Sequence, residues 1–139
     1  MRTRITSLVI GAMTALLAVA GPVSAGDGKV VITLDVNFAR GSETFTATGA
    51  FCPRGSAVTT SVETTGRPVF HVEKTFTCKD RSGTLSIALD AVSTWTGTQG
   101  GWTVTGGTGA YAGASGGGQV VGVGTSSGIL DTYTGTINR

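Results

Sequence analysis

Lys29-Val30-Val31-Ile32-Thr33-Leu34-Asp35-Val36-Asn37-Phe38 carries an apolar residue at every second position. Val30, Ile32, Leu34, Val36 and Phe38 point one way, while Lys29, Thr33, Asp35 and Asn37 point the other; Val31 is the exception. Side chains alternate across a pleated backbone, so a period of two predicts a strand with one buried face. The pattern recurs downstream between turn-forming clusters. Arg40-Gly41-Ser42 turns the chain into a second strand that buries Phe45, Ala47 and Phe51 and exposes Thr44, Thr46 and Thr48. After Pro53-Arg54-Gly55-Ser56 a third strand carries Val58 and Val62, and Thr65-Gly66-Arg67-Pro68 turns again.

The fourth strand, Val69 to Cys78, sets Phe70, Val72, Phe76 and Cys78 on one face, with Lys74 among them by register. Asp80-Arg81-Ser82-Gly83 reads as a hairpin connection, and Leu85, Ile87 and Leu89 define a fifth strand. A short sixth is expected around Trp102 to Val104, a seventh over about Gly118 to Val123, and an eighth from Ile129 to Ile137. No stretch has a convincing helical period. Eight strands with short turns predict an all-β fold, closed as an eight-stranded antiparallel β-barrel or packed as a β-sandwich. Either arrangement removes the exposed strand edges that invite aggregation. Glycine in the later strands suits the sharply coiled strands of a small barrel.

The 139-residue chain opens with a different kind of segment. Arg2 and Arg4 precede an apolar run from Leu8 to Ala20, and Val23-Ser24-Ala25 supplies a small-x-small cleavage pattern. These are the three parts of a secretory signal peptide, here residues 1–25, and the run is shorter than the ~20 residues of a membrane span. Residues 26–139 are then expected to form one secreted, extracellular β-barrel domain with no membrane attachment. Removing Arg2 and Arg4 also removes the net charge of +2, leaving eight cationic residues against eight carboxylates. A balanced surface argues against nucleic acid or anionic membrane as partner, since both require clustered positive charge.

Cys52 and Cys78 are the only cysteines. In an oxidising compartment one disulfide between them is the expected outcome, and closing that loop stabilises by roughly 3 kcal/mol in the chain-entropy picture. With His71 the only histidine and no Cys-x-x-Cys, a zinc site lacks ligands. No metal and no cofactor are expected.

The Gly-rich stretch Gly100 to Gly118 lacks the Gly-Lys-Ser/Thr ending of a phosphate loop, and no helix follows to meet a phosphate. Within it, Trp102-Thr-Val-Thr-Gly-Gly-Thr-Gly-Ala-Tyr-Ala-Gly-Ala114, then Gly116 and Gly118, resembles a signature of the allene oxide cyclase and dirigent superfamily. That signature reads Gly-Gly-Thr-Gly-x-Tyr/Phe-x-Gly-Ala-x-Gly. Gly128 to Tyr133 resembles the Gly-Ile-Leu-Asp-Thr-Tyr ending of secreted bacterial proteins that carry similar segments. The likeness spans mainly Gly101 to Thr136. It implies an eight-stranded antiparallel barrel, hydrophobic substrates held inside it, and a homotrimer; it transfers no catalytic residue.

Candidate chemistry is sparse. There is no Gly-x-Ser-x-Gly elbow. His71 falls on the polar face of its strand, where pairing with Glu73 at the surface is expected over service as a general base. Lys74 either lines a cavity, snorkels out at a rim or marks a bulge; buried, it becomes a catalytic amine or holds an acidic ligand group. A snorkelling Lys74 also predicts that Lys74→Met is tolerated for folding. Asp131 and Tyr133 share a face with Ile129 and Ile137. If that face looks inward, a carboxylate and a phenol in an apolar interior suit proton shuttling; if outward, both are surface groups. Trp95, Trp102 and Tyr111 near the Gly-rich hairpin either stack on a sugar or partner, or plug one end of the barrel. The leading expectation is a small barrel binding a hydrophobic small molecule. The runner-up is a cyclase- or isomerase-like enzyme using Lys74, Asp131 or Tyr133. A third is an extracellular module for polysaccharide or protein contacts.

Overall fold

The computed structural model describes residues 28–139 except 65 and 67, so the expected signal peptide, residues 1–25, lies outside the described residues. Eight strands run in chain order: β1 (Gly28–Asn37), β2 (Ser42–Gly49), β3 (Arg54–Thr64), β4 (Val69–Cys78), β5 (Gly83–Thr94), β6 (Gly97–Gly109), β7 (Ser115–Gly124) and β8 (Gly128–Asn138). Each pairs antiparallel with the next, and β1 pairs with β8, so the sheet closes into an eight-stranded barrel. The closed ladder excludes the sandwich.

The alternating stretch that opens the chain is β1. Val30, Ile32 and Leu34 are buried, and their outward neighbours are largely exposed. Phe38 departs from that pattern: it lies past the strand end and is exposed. Phe51 also lies outside its expected strand, because β2 ends at Gly49. It is buried nonetheless, stacked on Phe45 with ring centroids 5.4 Å apart. The Pro53-to-Ser56 cluster is not wholly a turn, since β3 begins at Arg54.

Two bulges correct the period-two count. On β3 the register slips between Thr59 and Ser61, so Val58 and Val62 do not share a face. Thr59 lies opposite Lys74 and Val62 opposite Val72, while Val58 is left exposed on the outside. On β6 a second slip opposite Ser86 and Ile87 lets a strand of 13 residues run through much of the Gly-rich segment, where a short one was expected. Bulges add a residue to one strand, bend it and tighten its twist, which suits closure of a small barrel.

The core fills one half of the interior. Phe45, Phe51, Phe76, Tyr111 and Tyr133 meet in successive ring contacts, with edge-on pairs such as Phe76–Tyr133 at 5.7 Å. The Cys52–Cys78 disulfide closes beside them, with Cα atoms 6.0 Å apart. Arg139 stacks its guanidinium 4.4 Å from the centre of the Tyr111 ring and donates to the Ala50 carbonyl oxygen at 2.6 Å. Trp102 lies inside the barrel, its indole Nε1 donating to the carbonyl oxygens of Gln119 and Thr134 at 3.1 and 3.3 Å.

Candidate functional site

The other end of the barrel, where the β1–β2, β3–β4, β5–β6 and β7–β8 connections lie, is open. A cavity of about 660 Å³ descends from it. Its walls are mainly apolar, including Val36, Phe70, Val72, Leu89, Val120 and Ile129. Polar side chains interrupt them, among them Thr59 and Thr98 and the three ionisable groups Glu43, Lys74 and Asp131.

Local structure aims each one inward. Asn37 accepts a hydrogen bond from the Arg40 amide at 2.9 Å and Gly41 takes a φ of +60°, so the chain reverses tightly and β2 begins at Ser42. Glu43 then shares the inward parity of Phe45 and Ala47. The β3 bulge keeps Thr59 inside opposite Lys74. Lys74 holds its place on the apolar face of β4 and is 5% exposed. It neither snorkels nor flips register; it lines the cavity.

These three side chains close a ring of hydrogen bonds. Lys74 Nζ donates to Glu43 Oε2 at 2.8 Å and to Thr59 Oγ1 at 2.6 Å, and Thr59 donates to Glu43 Oε1 at 2.6 Å. Burial by itself raises the Glu43 carboxyl, but the hydrogen bonds from Lys74 and Thr59 and the lysine charge outweigh it and hold the carboxyl below its ordinary value. Two of the three ammonium protons are therefore engaged by the protein's own Glu43 and Thr59.

Asp131 enters from β8, four strands around the barrel from β4, and is 8% exposed. The inward face of β8 is the one that carries both Asp131 and Tyr133. Gly122 on β7 makes the space: a Cβ there would collide with Asp131 Oδ1 and Thr98 Oγ1. Tyr133 donates to Asp131 Oδ2 at 3.4 Å, a long bond, and is itself fully buried. Burial pushes the Asp131 carboxyl above its ordinary value; the Lys74 charge and the Tyr133 hydrogen bond oppose this without reversing it. Burial, followed by the Asp131 charge, likewise raises Tyr133 out of the working range of a base.

The structure thus brings Lys74 and Asp131 to one cavity with Tyr133 beneath Asp131, but it does not gather the three aromatic candidates. Trp95 is fully exposed at the tip of the β5–β6 hairpin, Trp102 is interior, and Tyr111 plugs the opposite end. His71 is on the outer surface as expected, but its partner is Asp90, not Glu73. Nδ1 and the Asp90 carboxylate are 2.8 Å apart across β4 and β5, which raises the imidazole above its ordinary value. Glu43 and Thr59 were missed by sequence reasoning. The signal for Glu43 was present, since it continues the parity of Phe45 and Ala47; that for Thr59 was hidden by the bulge.

Among the described residues no group of three or more His, Cys, Asp or Glu is placed to hold a metal. Comparison of the chain with protein-family models, curated proteins and solved structures finds no match.

Proposed function

We propose that this protein is a secreted barrel that binds a hydrophobic small molecule in its open end. The observation that carries the reading is the 660 Å³ cavity with apolar walls and a few convergent polar groups, the size and make-up of small-molecule sites. An interaction module would need no such space and would present its aromatic groups outward, whereas Trp95 is the one exposed aromatic of the three candidates. The Cys52–Cys78 disulfide is compatible with an extracellular setting. The superfamily resemblance of Gly101 to Thr136 points to the same use of a barrel interior.

A second reading, a cyclase- or isomerase-like enzyme, is favoured by one feature. Asp131 is a buried carboxyl with a raised proton affinity inside the cavity, which is what a general acid in an apolar site requires. Lys74 is not needed for that chemistry, being paired with Glu43.

Native mass spectrometry of the protein from its own culture medium, repeated after denaturation, tests the proposal. A small molecule retained natively and lost on denaturation is the expected result. A bare polypeptide that also fails to take up added apolar probes by calorimetry would overturn it. Turnover of the retained molecule, abolished by Asp131→Asn, would promote the second reading.

A further inference from the structure

The charges inside the cavity do not balance. Among the described residues its lining holds two carboxylates, Glu43 and Asp131, and one cation, Lys74. Glu43 and Lys74 satisfy each other at 2.8 Å, with Thr59 bridging both. Asp131 is left over. It is more than nine-tenths buried and its only hydrogen bond among the described residues is the 3.4 Å contact from Tyr133, so Oδ1 accepts none. A buried carboxylate without a cation is costly, and a ligand that supplies the cation removes that cost and gains a charge-assisted hydrogen bond.

Each class of apolar ligand meets this arrangement differently. A carboxylate ligand would face two protein carboxylates and an ammonium already engaged. A neutral alcohol would bury its chain equally well but give Asp131 no counter-charge. An ammonium group on an apolar body would do both. Resting on the reading of the cavity as a ligand site, we propose that it takes a hydrophobic amine, with Asp131 binding the ammonium and the walls around Val72, Leu89 and Ile129 covering the apolar body.

The test is isothermal titration calorimetry of the protein from its medium with three probes of equal chain length: decylammonium, decan-1-ol and decanoate. The expected order is decylammonium tightest, by about tenfold or more over decan-1-ol, the effect of one hydrogen bond to a charged group. Decanoate should bind weakest. In Asp131→Asn the amine should bind no tighter than the alcohol, while the alcohol itself is retained. An amine no tighter than the alcohol in the native protein, a preference that survives Asp131→Asn, or decanoate as the tightest probe would each overturn the assignment. If none of the three binds, the ligand-site reading itself falls, which distinguishes the two failures. Should Asp131→Asn not fold, the native protein still decides: on adding decylammonium the Asp131 side-chain carboxyl ¹³C resonance must shift. A bound amine that leaves that resonance unmoved counts against the proposal.

Discussion

The two ends of the barrel share the same eight strands and differ in what fills them. At the end where β1 begins and β8 finishes, aromatic rings from β2, β4, β8 and two connections interlock, and a disulfide and the Arg139 guanidinium close over them. At the other end the inward positions are held by Val36, Val72, Ala91, Ser93 and Thr98, and 660 Å³ stays unfilled. An eight-stranded barrel is just wide enough for side chains to fill or for one small ligand to occupy. Here side-chain volume alone sets which outcome holds at each end. Close packing belongs to the aromatic end and open volume to the other.

The sharpest way to break that comparison is to truncate at both ends. Phe76 is fully buried against Phe45, Phe51 and Tyr133, so Phe76→Ala should destabilise by about 3–5 kcal/mol in denaturant unfolding. Val62→Ala at the mouth, where Val62 is 59% exposed, should stay within about 0.5 kcal/mol. Equal effects would mean that the two ends are not energetically distinct.

Replacing both Cys52 and Cys78 by Ser should lower stability by roughly 3 kcal/mol, because the 26-residue separation no longer restrains the unfolded chain. The unfolding midpoint should fall while the folded variant binds apolar probes as before. An unchanged midpoint would remove the disulfide from the account of the aromatic end.

Next in size is the ion pair. Had Lys74 snorkelled, Lys74→Met would be tolerated; paired as it is, the substitution strands Glu43. The expected loss is roughly 2 kcal/mol, below the ~3–5 kcal/mol of a fully dry pair because the cavity mouth admits water. Glu43→Gln added to Lys74→Met should restore more than half of the loss. A single variant as stable as the native protein would show that the pair contributes nothing.

The smallest effect is a pH difference between the two cavity carboxyls. Glu43, held below its ordinary 4.5, contributes stability that is present above that pH and is lost as pH falls through its folded value. Asp131 has the opposite sign. Raised above 3.8, its contribution is present below that pH and disappears as pH rises through the folded value. Glu43, Lys74 and Tyr133 are the titratable groups that act on Asp131. Asp131→Asn should therefore melt higher than the native protein at neutral pH, with the gap closing below about pH 4. A gap that is constant across pH would show that the carboxyl does not titrate differently on folding.

Much of the fold was legible from period two. β1, β4, β5 and the inward parity of Lys74 followed directly, because a half-buried strand leaves its burial pattern in consecutive residues. The long β6 was harder to read, since glycine writes no parity: Gly97, Gly100, Gly101, Gly106, Gly107 and Gly109 give no side chain to assign to a face. The face of β8 was also undecided, because Ile129-Leu130-Asp131-Thr132-Tyr133 balances on either side.

The sequence alone determined that the chain is all-β, that Cys52 and Cys78 can only pair with each other, and that Lys74 sits on an apolar face. All three follow from local alternation or from counting. Only the tertiary structure decided closure into a barrel, the partners of Lys74 and His71, and the isolation of Asp131. Those depend on which strands meet around the ring: β2 and β3 deliver Glu43 and Thr59 to Lys74, β5 delivers Asp90 to His71, and among the described residues none places a cation in hydrogen-bond contact with Asp131.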